Sequence, residues 1–313
     1  MKAAHLSDRG VVKVSGDEAR KFLNGLVTVD MSEVTGTSPR FAALLTPQGK
    51  IIVDFIVAEA APADGGGFFL DCPRALAATL AERLAFYRLR AKIAIEDVSE
   101  MLAVTAIWNS AAGAPPRPSG ASQGENGGFL CYPDPRLPEL GFRCMLPPAR
   151  AVPDAERMTL ADYEAHRIAL GVPRGGIDFA YGDAFPHEAD MDQLHGIDFQ
   201  KGCFVGQEVV SRMEHRSTAR TRVIPVALAG AAPAAGIAIT AAGTPVGVMG
   251  SAAGRRGLAS LRLDRVEAAL ANGVPLVADG IALRPIKPVW AHFAFPGETK
   301  ASETKTSKTK ASE

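Results

Sequence analysis

Apolar positions recur along this chain with two periods. Val12 and Val14 alternate with polar neighbours, and Phe22, Leu23 and Leu26 then share a helical face. VVKVSGDEARKFLNGLV therefore reads as strand, cap and helix, with Asp17 as N-cap. IIVDFIVAEA, from Ile51, is a β-branched run between Pro47–Gly49 and the Pro/Gly stretch from Pro62, which predicts a buried strand. Pro73 opens a helical pattern with Leu76, Leu80 and Leu84 in register, and AKIAIEDV and MLAVTAIW read as two further strands. Thr159 caps the next helix, with Asp162 completing a capping box and Gly171 ending it. From Thr221 to Phe295 the texture changes. RVIPVAL, GIAIT, PVGVMG and IALRP are short β-like runs separated by Gly, Pro and Asp-Gly turns, which suits a small all-β barrel or sandwich.

The chain has 313 residues, enough for two or three domains at roughly 100–200 residues each. Strands alternating with helices, without glycine-rich phosphate loops, indicate an α+β class rather than a dinucleotide fold. The expected division is a first α/β part over 1–108, a Pro/Gly/Ser-rich loop or linker over 109–128, and a second α/β part over 129–220. The β-barrel follows over 221–296, and a polar, low-complexity and disordered tail over 297–313.

Hydrophobic residues make up 47% and charged residues 22%, and Lys+Arg and Asp+Glu each total 34. Such a balance points to a globular protein with a sizeable core and advertises neither nucleic acid nor membrane as partner. No apolar run reaches the length of a membrane span, and the polar start MKAAHLSDRG resembles neither a signal nor a transit peptide. Cys72, Cys131, Cys144 and Cys203 are scattered without a C-x-x-C pair, so a reduced, cytoplasmic setting is expected.

The most informative stretch is Lys201-Gly202-Cys203-Phe204-Val205-Gly206-Gln207-Glu208, followed by Val209-Val210-Ser211-Arg212. Two glycines bracket the cysteine, so a tight turn there costs little strain. The composition then becomes helix-compatible, with Glu208 and Arg212 spaced for an ion pair. The expected geometry is a turn feeding a helix. Backbone N–H groups and Lys201 would then favour a thiolate on Cys203, suited to a nucleophile, a transient metal ligand or a redox-sensitive thiol.

KGCFVGQEVVSR resembles the signature of the YgfZ family of folate-binding proteins, which is related to the aminomethyltransferase (T-protein) of the glycine cleavage system. GDEARKFLNGLVTVD, LLTPQGKIIVDF, YRLRAKIAIEDVS, and RIALGVPRGG before PHEADMDQL agree with it in order, so the likeness covers residues 10 to 295. The resemblance implies a three-domain ring around a channel for tetrahydrofolate, with a small C-terminal β-barrel. It also implies an accessory role toward iron–sulfur enzymes, including one that thiolates tRNA.

Carried onto this sequence, the resemblance gives Cys203 and Lys201 as the catalytic pair. Glu188, in Pro186-His187-Glu188, becomes the carboxylate that reads the pterin edge. Asp54 becomes a folate contact, with Val53 where the aminomethyltransferases carry a second aspartate. That departure argues for a folate-dependent accessory factor over a one-carbon transferase. The basic residues Arg90 and Arg212, suited to the glutamate tail of folate, and Gln207 complete the expected cofactor contacts. Arg88 and Arg90, with Arg212, Arg216, Arg220 and Arg222, could instead meet RNA phosphates, which defines the alternative of a tRNA-binding module. The His187, Glu188, Asp190, Asp192, His195 stretch has spacings that match no common metal-ligand pattern, and no metal is assigned.

Overall fold

The computed structural model describes residues 1–109, 130–216 and 219–297. But for their first residues, the loop expected over 109–128 and the tail expected from 297 fall outside them.

One five-stranded antiparallel sheet has the order Arg40–Leu45, Ile51–Glu59, Phe68–Pro73, Arg9–Ser15, Ala94–Asp97. Its strands obey the period of two. Val53, Phe55 and Val57 face helices α1 (Ala19–Asn24) and α2 (Ala77–Arg88), whose Leu23, Leu80 and Leu84 cover them. Ile56 and Ala58 face the centre of the molecule, and the same alternation turns Asp54 and Asp71 inward. The α1 cap differs from expectation. The helix begins at Ala19, and Glu18, not Asp17, holds the cap position while its carboxylate accepts from the Lys92 N–H.

A second five-stranded sheet runs Glu156–Met158, Lys2–His5, Ala103–Trp108, Phe142–Leu146, Leu130–Pro133. It is assembled from chain on both sides of the 109–128 stretch. Its inward residues Val104, Ala106 and Met145 meet Val11, Phe69 and Ile56 of the first sheet. Helix α3 (Leu160–Leu170) adds Tyr163 and Ile168 to that core. It carries the expected capping box between Thr159 and Asp162, and ends on Gly171 in the left-handed region.

Helix α4 (Gln207–Arg216) leads to a closed barrel of Thr221–Leu228, Arg256–Arg262, Thr244–Ala253, Ala238–Ala241, Leu276–Ala278 and Ile281–Pro285. Asp279 and Gly280, both at positive φ, make the two-residue turn of its last hairpin. Helix α5 (Leu263–Ala271), which the strand-rich pattern of this region had hidden, adds Val266 and Ala269 to the barrel core.

The cysteine expectation needs a correction. Cys131 and Cys144 stand directly opposite one another on neighbouring strands, Cα–Cα 4.1 Å, and form a disulfide. Sheet register, not sequence spacing, brings them together.

Between the two sheets lies a polar centre. Arg143 donates through Nη1 to Asp71 (2.8 Å) and through Nε to Asp134 (3.0 Å), while Arg9 donates to the other oxygen of Asp71 (2.6 Å). Arg136 forks onto Asp134 (2.9 and 2.7 Å), and Arg143 also reaches the Tyr163 hydroxyl (3.1 Å). Removing one partner of a buried pair leaves the other charge stranded. Asp71→Asn should therefore lower unfolding free energy by roughly 3–5 kcal/mol, read as a shifted urea midpoint.

Candidate functional site

The KGCFVGQE segment is fixed from below at several points. Asp198 Oδ1 accepts from the N–H groups of Gln200 and Lys201 and turns the chain. Lys201 then buries its side chain and donates to the carbonyls of Asn24, Val27 and Val29 at 2.7–2.8 Å. Thr28 joins the same seam, donating to Gly196 O and accepting from the Ala43 N–H. Phe204 is buried beneath the Lys201 ammonium, 5.2 Å away, and Val210 of α4 is fully buried. Gly206 lies at φ +83°, and a Cβ there would come within 2.6 Å of Thr46 O, so the segment can lie against the Thr46–Gly49 turn only because this residue is glycine. Gly202 has open space around it and carries no such demand.

Cys203 sits on top of this support and is exposed, whereas Cys72 is buried in the first sheet. Burial pushes the Cys72 thiol up to about 12. Two features of the expected environment differ. The helix starts at Gln207, four positions after the cysteine, and the dipole effect fades within the first turn. Lys201 spends its ammonium on backbone carbonyls, so its place is structural rather than activating. Burial lowers its pKa to about 8, opposed by Asp30 and Asp198, which leaves it charged at neutral pH.

The other predicted residues do not converge on Cys203. Gln207 is half-buried in the first turn of α4, and Arg212 is exposed and ion-paired with Glu208 (2.6 Å), the pair its spacing indicated. Glu188 is half-buried, with Oε2 accepting from the Phe185 N–H (2.9 Å). Arg90 is exposed just beyond α2. Arg222, counted among the RNA-facing arginines, is buried and held by Asp190 and Asp192 at 2.8–3.0 Å, so the patch that would read a phosphate backbone loses a member.

Asp54 lies at the centre, where its carboxylate accepts from the Tyr181 hydroxyl. The cavity it lines, with Arg9, Arg143, Tyr163 and Arg174, measures about 20 Å³. That is room for about one water, whereas small-molecule sites span roughly 300–1,000 Å³. Glu188 does not line it. Most side chains of this centre are paired with one another, and the cavity beside Asp54 is too small for a pteridine, so the residues lining it do not fit the folate that the fold implies. Sequence reasoning missed this network. The inward phase of Asp54 and Asp71 was readable from strand alternation, but their partners on the second sheet were not.

The architecture defines the class first. The chain superimposes on the glycine cleavage system aminomethyltransferase T from Bartonella henselae with a TM-score of 0.70 over 94% of this chain and 87% of that one. At 18% identity this likeness shows the fold alone. It is the aminomethyltransferase type expected, with its C-terminal barrel. Residues 220–293 match the model of the CAF17 C-terminal beta-barrel domain.

The relatives then give the family. The human mitochondrial iron–sulfur cluster assembly factor IBA57 is 31% identical over 85% of this chain and 78% of its own length. The IBA57 homologs of Mycosarcoma maydis and Neurospora crassa are 34% and 33% identical over 75% and 73% of this chain. The chain belongs to the IBA57 family of iron–sulfur cluster assembly factors. It spans 60% and 54% of the length of the two fungal relatives. The YgfZ resemblance was therefore right at the coarser level of this wider group. The cytoplasmic expectation is overturned, because these relatives are mitochondrial proteins.

Lys201→Met should leave the carbonyls of Asn24, Val27 and Val29 without this donor and lower stability by roughly 2–4 kcal/mol in urea unfolding. Iodoacetamide at neutral pH should label Cys203 and spare Cys72, at a rate Lys201→Met does not change under folded conditions. A labelling rate that falls while stability holds would restore an activating role for Lys201.

Proposed function

We propose that this chain acts in iron–sulfur cluster assembly by presenting Cys203 as a single, firmly supported thiolate ligand to a cluster held with a partner protein. The observation that carries the reading is the thiol inventory. Of four cysteines, two are joined in a disulfide, one is buried in a sheet and one is exposed. A stable cluster takes about four thiolates, which this chain cannot supply alone, so the remaining ligands come from the assembly or client protein. The anchoring of Lys201, Phe204 and Gly206 fits that task, since a ligand on a rigid support loses little freedom on binding. A role limited to iron–sulfur proteins that thiolate tRNA would be a matter of client identity and needs no RNA contact here.

Tetrahydrofolate has no part in this mechanism, because the closed centre offers it no room. Calorimetric titration of the purified protein with tetrahydrofolate should give no saturable heat. Saturable binding, abolished in Glu188→Ala, would return that carboxylate to the pterin role.

The cysteine is tested in reconstitution of a four-iron client enzyme from a cluster-loaded carrier protein. Cys203→Ser should keep the fold, by circular dichroism and melting temperature, and lose at least ten-fold in the rate of client activation. Client activation by the variant at the wild-type rate would end the proposal.

A further inference from the structure

His187 and Asp192 belong to the loop that follows the Tyr181 turn, and Glu214 to α4. The fold brings one ligand atom from each within 4.8 Å of the other two. His187 has 2% of its side chain exposed and makes one side-chain hydrogen bond, Nε2 to Glu214 Oε2 at 3.1 Å. Its Nδ1 is buried without a partner, as is Oδ2 of the neighbouring Asp190. Asp192 is held in place by Arg222, through both oxygens, and by Gln193. Arg222 is itself stacked on Phe293 at 4.3 Å. Glu214 forms the outer lip, its side chain 45% exposed, and Phe199 leans over the imidazole at 5.9 Å between ring centres.

We propose that His187, Asp192 and Glu214 form a binding site for a divalent first-row transition-metal ion, separate from Cys203. Three observations point to a cation rather than to a buried ion pair. The imidazole is almost completely buried, and its Nε2 edge is aimed at the Glu214 carboxylate at 3.1 Å, where a ligand nitrogen would stand. The carboxylates of Asp190 and Asp192 share the one guanidinium of Arg222, while Glu214 is paired only with the imidazole of His187. Asp192 is already oriented by hydrogen bonds from Arg222 and Gln193, as ligating carboxylates commonly are. Metal–ligand bonds of about 2.0–2.2 Å put ligand atoms up to roughly 4.4 Å apart, close to the 4.8 Å within which these three atoms lie, and the exposed Glu214 carboxylate has room to adjust. One imidazole with two carboxylates is a nitrogen–oxygen set. It suits Fe²⁺, Mn²⁺, Co²⁺ or Zn²⁺ and disfavours Cu⁺. The site does not rest on the role proposed for Cys203.

The test uses the full chain, stripped of metal and titrated anaerobically with Co²⁺, with visible d–d absorption and metal content after desalting as readouts. One equivalent should bind, without the intense band of a thiolate-to-cobalt transition. Glu214→Gln should weaken binding at least ten-fold and His187→Ala should abolish it, while Cys203→Ser leaves it unchanged. Glu214 lies on an exposed helix surface, so its variant keeps the fold and decides the matter even where His187→Ala does not. Absence of binding, binding indifferent to Glu214→Gln, or binding lost in Cys203→Ser would each overturn the site.

Discussion

Arg143 stands between two sheets and answers acids from both. It bonds Asp71 across the sheet interface and Asp134 on its own side, and Tyr163 of α3 takes a third donor. Each of these charges alone would be expensive to bury. Together Arg9, Arg136 and Arg143 balance Asp54, Asp71 and Asp134, and most of the polar atoms find partners. An apolar centre of the same size could slide by a methyl group at little cost. A fork of guanidinium bonds fixes both distance and angle, so this network sets the register in which the two sheets meet. A comparable clamp fixes the barrel. Arg167 of α3 reaches Asp178 and Ser251, and Ser251 lies on the barrel strand Thr244–Ala253.

A centre closed by side chains cannot also be a ligand chamber, and this separates fold from function here. The aminomethyltransferase architecture is kept while the space at its middle is spent on internal pairing. On the function proposed above, what the chain offers to other molecules lies at its surface, where Cys203 rises from a seam of buried groups. That seam is indirect. Lys201 directs its ammonium to carbonyls and so ties the cysteine loop to the α1 turn, and through Thr28 and Ala43 to the first sheet. The position of an exposed thiol is thereby inherited from the core.

Much of this could be read from the sequence wherever local chemistry decides the outcome. The Thr159–Asp162 capping box, the Gly171 stop, the buried Ile51–Glu59 strand and the Asp279–Gly280 hairpin all depend on residues a few positions apart. The same holds for the Glu208–Arg212 pair. The misses share the opposite property. Asp17 is the cap that local preference favours, but the helix begins one residue later, and the Glu18 carboxylate binds the N–H of Lys92, far along the chain. Lys201 beside Cys203 reads as an activator in one dimension, whereas in three its Nζ turns to carbonyls more than 170 residues earlier. Cys131 and Cys144 are neighbours by strand register alone.

His187, Asp192 and Glu214 show the same limit from another side. Read in line, the His and Asp residues after Pro186 match no ligand spacing, because the third member comes from a helix that begins beyond the cysteine loop. The helix is placed there by Val210 in the core and by the glycine contact between Gly206 and the Thr46–Gly49 turn. The backbone economy that exposes Cys203 thus also carries Glu214 to the buried imidazole. Two chemically distinct features, an exposed sulfur and a largely buried nitrogen–oxygen cluster, are set by the loop that precedes one short helix and by that helix's last turn. A strain or slip at Gly206 would disturb both, although neither touches the other.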